Sequence, residues 1–155
     1  MRETEKAYIA GFLDGDGSIM ALIEPHKECR FGYRIRVMLK FAQQDISSSI
    51  LRYIAKLMPG GHISGKSSKQ GREYVIRNQN RIRQVLRLLA PYVKLKNQQL
   101  KLSLQLIDKL RDINTANDFM NAAKIADKIA SLNTRSRSRR KNTSLNIHLK
   151  YPPND

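Results

Sequence analysis

Residues 8 to 18, YIAGFLDGDGS, end in two carboxylates one residue apart, Asp14 and Asp16, each followed by glycine. Three kinds of chemistry could use such a turn. A calcium loop of the EF-hand type needs glycine at its sixth position and glutamate at its twelfth. Those positions hold Ile19 and Pro25 here, so that chemistry is excluded. The two aspartates could instead be turn formers, with Gly15 and Gly17 in left-handed conformations. Or they could hold a divalent cation, because carboxylates beside a phosphate-binding surface repel the ligand unless a cation lies between them.

The rest of the composition bears on that choice. Lysines and arginines number 29 against 13 acidic residues, a formal charge of +16, which self-repels unless a polyanion or an anionic surface takes it up. Nucleic acid is the leading partner. No apolar run reaches the ~18 residues of a spanning helix, and the N-terminus lacks a signal peptide's apolar stretch, so a soluble, intracellular protein with no membrane partner is expected. The lone Cys29 can form no internal disulfide, and His26, His62 and His148 are too scattered for zinc; they read as surface or hairpin residues. No Ser-His-Asp order, P-loop or dinucleotide fingerprint is present.

Elements must hold these groups in place. A short helix capped by Thr4 leads into the acidic turn, with small side chains on one face. Strands are expected over 18–24 and 33–41, the second alternating Ile35, Val37 and Leu39 with Arg34, Arg36, Met38 and Lys40. A helix opened by Asp45 or a serine stops at Pro59-Gly60-Gly61. Strands over 62–66 and 72–78 make a second hairpin. Three helices follow, in 80–93, 97–110 and 117–133. The order α-ββ-α-ββ-α-α(-α) is an α+β fold with antiparallel pairing, since neither strand connection is long enough for a parallel crossover. One domain is expected, residues 1–133, followed over 134–155 by a basic C-terminal arm, part of the same domain and partly extended.

With the motif, the element order, the chain length and the segment PYVKLKNQQ at 91–99 together, the sequence resembles the LAGLIDADG homing endonucleases of the single-motif type. The resemblance covers roughly residues 5 to 132. It implies a homodimer in which two motif helices pack side by side through Ala10, Gly11, Leu13 and Asp14. It also implies that Asp16 binds the metal with the Gly15 backbone carbonyl as accessory ligand, and that the metal is Mg²⁺, with Mn²⁺ substituting and Ca²⁺ supporting binding without efficient cleavage. Lys96 matches the family's basic residue near the scissile phosphate, and Gln43 a polar residue that holds active-site water, although Gln44 leaves that register open by one. Asp14 is expected to cap the helix or orient its turn. Four residues after Gln43, where relatives commonly carry Arg or Lys, stands Ser47.

Two hairpins per chain form a saddle whose outward residues enter the major groove. Period-two alternation assigns Arg34, Arg36, Met38 and Lys40 outward, opposite Met20, Leu22 and Glu24, and on the second hairpin Ser64, Lys66, Arg72 and Arg77. Arg34 and Arg36 are the expected base readers. Lys69 and the arm residues Arg135, Arg137, Arg139, Arg140 and Lys141 suit phosphates instead. The function expected is a Mg²⁺-dependent endonuclease that breaks both strands of a long, pseudo-palindromic DNA site. An intron maturase or RNA-binding splicing helper on the same fold is the alternative.

Overall fold

The computed structural model describes residues 1–43, 49–64, 71–133 and 140–150. Helix α1 spans Glu3–Asp16 and starts two residues earlier than a Thr4 cap would set it. Arg2 is its N-cap, and the Glu5 carboxylate reaches back to the Arg2 N–H at 2.7 Å, a negative group where the helix dipole favours one. The helix passes without a loop into β1, Gly17–Pro25, which pairs antiparallel with β2, Tyr33–Gln43, in a register running from Gly17 opposite Phe41 to Pro25 opposite Tyr33. Helix α2, Ser49–Leu57, leads to β3, His62–Ser64, and β4, Arg72–Ile76. The expected cap at Asp45 and the outer part of the second hairpin lie outside the described residues.

The sheet order is β1-β2-β4-β3, all antiparallel. Where β4 ends, the Gln79 side chain continues the ladder. Its amide oxygen accepts from Val37 N at 2.9 Å and its amide nitrogen donates to Val37 O at 2.8 Å. Helix α3, Gln79–Leu89, is capped by Asn78, whose side chain accepts from Arg81 N at 3.0 Å. Helices α4, Asn97–Lys109, and α5, Ala116–Leu132, complete the layer, the latter opened by a Thr115–Asp118 capping box.

One sheet face and the helices enclose the core. Ile19, Val37, Leu39, Phe41 and Ile76 face Ile9, Leu13, Leu51, Ile54, Ile82, Leu86 and Ile129, all fully buried. Each large side chain so removed from water contributes ~1.5–3 kcal/mol. The opposite face carries the polar alternates. No helix among the described residues is long and apolar enough to cross a membrane.

Of the C-terminal segment, residues 140–150 are described, and they carry no helix or strand. Residues 140–150 fold back along β1, with Ile147 buried at its end. Arg140 donates to Asp127 at 2.7 Å and to the Ala21 carbonyl at 3.2 Å, and Asn142 donates to the Ile23 carbonyl at 3.0 Å. The Asn133 side chain donates to the Ile19 carbonyl at 2.8 Å. Carbonyls 19, 21 and 23 point to the side of β1 away from β2, so three side chains satisfy what a further strand would otherwise pair.

Candidate active site and nucleic-acid interface

The acidic turn is the C-terminal end of α1 itself. Neither Gly15 nor Gly17 has positive φ, so the left-handed turn is not the reason for these glycines. Gly17 is required by crowding: a Cβ there would lie 2.6 Å from Leu13 Cδ1 and 2.8 Å from Leu13 Cα. Gly11 and Gly15 are different. A Cβ on either would meet nothing within 4 Å, and both are exposed. Glycine within a helix costs ~1 kcal/mol relative to alanine, and nothing inside the single chain requires it at these two positions.

Asp14 is a clamp. Its Oδ2 accepts from the backbone N–H groups of Lys94 and Leu95 at 2.7 and 3.1 Å, and its Oδ1 from that of Lys96 at 3.0 Å. The Lys96 ammonium in turn donates to the Asp14 carbonyl. Burial pushes the Asp14 carboxyl up, but the three N–H donors and the Lys96 charge outweigh it and hold the group below the usual carboxylate range. Burial pushes the Lys96 ammonium down, partly opposed by the charges of Asp14 and Asp16. Asp16 is exposed beside this clamp, at a helix end without a basic residue in its last turn, where the dipole disfavours a carboxylate unless a cation joins it.

Oxygen donors alone, the Asp16 carboxylate and the Gly15 carbonyl, fit a hard divalent cation that keeps waters and takes up phosphate oxygens. Among the described residues of one chain, no group of three or more His, Cys, Asp or Glu could hold a metal ion. Gln43 ends β2 two residues beyond the Gly17–Phe41 pair, at the same end of the sheet as the acidic turn. Ser47 and Gln44 lie outside the described residues.

Several sequence-based assignments need correction. Ala10 and Leu13 are fully buried in the core of their own chain, leaving no surface for a partner helix; the exposed face of α1 runs instead through Ala7, Tyr8, Gly11 and Gly15. Met38 is on the outward sheet face, opposite Met20, but only 7% exposed, too buried to serve as a groove contact. Arg72 has the strand parity of Tyr74 and Ile76, opposite Gln43, and so lies on the helix side of the sheet. Arg140 spends its guanidinium on its own chain and is not a phosphate contact. Lys141 is exposed, whereas Lys66, Lys69, Arg135, Arg137 and Arg139 lie outside the described residues.

The outward face that remains holds Arg34, Arg36, Lys40, Ser64 and Arg77 together with Glu24, Glu73 and His62. Arg77 Nη1 is 2.8 Å from His62 Nε2. Glu24 pairs with Arg36 at 2.9 Å and Arg34 at 3.5 Å, and Glu73 with Lys40 at 2.9 Å. The part played by the two glutamates was missed from sequence; the hairpin register, which sets Glu24 opposite Arg34, is the signal that could have found the first.

The sequence model of the LAGLIDADG endonuclease family matches residues 9–107. DNA endonuclease I-CvuI of Chlorella vulgaris is 33% identical over 126 residues, covering 81% of this chain and 78% of that protein. DNA endonuclease I-CreI of Chlamydomonas reinhardtii is 30% identical over 127 residues, 81% and 77% of the two chains. The crystal structure of I-CvuI in complex with its target, in the presence of calcium, aligns with a TM-score of 0.85 at 31% identity, covering 92% of this chain and 89% of that one.

Proposed function

Because the chain belongs to the LAGLIDADG endonuclease family, we infer that it is a site-specific homing endonuclease that hydrolyses both strands of double-stranded DNA with Mg²⁺, as a homodimer. The observation that carries the reading is the junction at Asp16: an exposed carboxylate, joined directly to the strand whose sheet presents Arg34 and Arg36, beside a lysine clamped in place by Asp14.

Each element then has a task. The outward arginines bind the major groove, Arg34 and Arg36 at base edges, with guanine O6 and N7 the best match for a guanidinium fork. Arg77, Lys40 and Ser64 add contacts on the second half of the sheet, and Lys141 a phosphate contact. Asp16, with the Gly15 carbonyl, would hold Mg²⁺. The metal supplies Lewis-acid stabilisation of the charge that develops at the phosphate and a more acidic attacking water. Lys96 donates to the developing charge at the phosphate, and Gln43 orients the attacking water. One acidic turn offers too few ligands for two cuts. Gly11 and Gly15, glycines without a reason inside the chain, support a second α1 packed against the first, which brings two Asp16 carboxylates to one axis.

Asp16→Asn tests this. It keeps size and removes charge. Plasmid libraries carrying random sites should be cut by the wild type in Mg²⁺ and not by Asp16→Asn, while the variant's affinity for a selected duplex is kept or raised, since an anionic group facing phosphates has gone. Cutting by both at similar rates would exclude Asp16 as metal ligand.

A further inference from the structure

We propose that Glu24 is a specificity-determining residue that acts as an internal counter-ion, holding Arg34 and Arg36 away from the phosphates of non-target DNA. This rests on the endonuclease reading above. Among the described residues, the outward sheet face carries four cations, Arg34, Arg36, Lys40 and Arg77, against two acids, Glu24 and Glu73, a difference of only two charges. The described residues of this face thus carry little of the chain's formal charge of +16. A carboxylate there repels the ligand, and half-exposed ion pairs contribute little to folding, so stability does not explain it.

The geometry does. Glu24 Oε1 is 2.9 Å from Arg36 Nη2, and Glu24 Oε2 is 3.5 Å from Arg34 Nη2, so one carboxylate bridges two guanidinium groups on neighbouring positions of β2. Two positive charges and one negative leave the trio with half the phosphate attraction of the arginines alone. Each guanidinium has five N–H donors; Arg36 spends one on Glu24, and Arg34 is held by charge alone. The remaining donors can pair with a guanine edge while the ion pair persists. A phosphate of random DNA offers no such edge, and an arginine must leave Glu24 to reach it. Binding to the wrong sequence is thereby penalised more than binding to the right one, which is how a repulsive element generates specificity.

The test compares wild type, Glu24→Gln and Glu24→Asp on two duplexes, one of random sequence and one enriched by selection with the wild type, across a salt series with Ca²⁺ in place of Mg²⁺. Glu24→Gln should bind the random duplex ~3–10-fold more tightly at ~0.15 M salt, with a slope of log K against log salt steeper by up to ~0.9 per chain. Its affinity for the enriched duplex should change less, so the specificity ratio falls. Glu24→Asp, which keeps the charge, should retain the wild-type slope. Identical slopes and random-duplex affinities for wild type and Glu24→Gln would overturn the proposal. So would weakening confined to the enriched duplex with an altered preference at one base pair, which would make Glu24 a direct base reader, or equal loss in both variants, which would make it structural. A wild type that binds neither duplex overturns the endonuclease reading itself, a result distinguishable from the others.

Discussion

Replacing Asp14 by Asn removes one negative charge and leaves one acceptor oxygen where three backbone N–H groups converge. If the amide oxygen takes the place of Oδ2, the bonds to Lys94 and Leu95 persist as neutral ones, and the amide nitrogen faces the Lys96 N–H, donor against donor. Hydrogen bonds to charged groups contribute ~1.5–3 kcal/mol and neutral ones ~0.5–1.5. Losing one and weakening two comes to ~3.5–6 kcal/mol as an upper bound, reduced to ~1–2 kcal/mol because solvent reaches the carboxylate and screens it. For a chain of this length the melting temperature should fall by ~2–8 °C. The sign with pH is fixed by the folded carboxyl lying below its unfolded value of ~3.9. Its stabilisation is fully present above that pH and is lost as pH falls through the folded value. Urea denaturation of both proteins from neutral to acid pH should therefore show a gap that closes below pH ~4. Cleavage should drop by ~10–100-fold, since Lys96, proposed to act at the reacting phosphate, loses a backbone anchor. Equal stabilities at neutral pH, or a gap that persists undiminished into acid, would refute the clamp.

Gly11→Leu should leave the chain folded, because the space beyond its Cβ is open, yet sedimentation at micromolar concentration should find a dimer for the wild type and monomers for the variant. Asp127→Asn keeps a weak bond to Arg140 but removes its charge partner and weakens the acceptor of Ser144 N, so residues 140–150 should exchange amide hydrogens and be cut by protease faster, at a global cost of ~1–2 kcal/mol.

Much of the architecture was legible because it depends on short-range pattern. The alternation of Ile35, Val37 and Leu39 set the core face of β2, and the motif with its downstream lysines placed Asp16 and Lys96 at one end of the domain. What failed depends on geometry at the scale of one residue. Neighbours on a helix are about 100° apart around the axis, so Ala10 turns into the core while Gly11 turns out, and small size alone does not say which. Arg72 and Arg77 are five positions apart, an odd number, and cannot share a strand face; a strict period of two would have separated them. The docking of Arg140 was beyond local pattern, because its partners, Asp127 and the carbonyls of Ala21 and Ala126, are brought to it only by the folded chain.

The direct joint between α1 and β1 has a mechanical consequence. Asp16 is the last residue of the helix and Gly17 the first of the strand, and the contact of Gly17 with Leu13 leaves no slack between them. With Asp16 as the proposed metal ligand, a strand seated on the wrong bases and displaced by even ~1 Å would pass that error to the carboxylate, and misplacement of that size can slow chemistry ~100-fold. On that reading the joint itself would discriminate: a near-match sequence would be held and still not be cut.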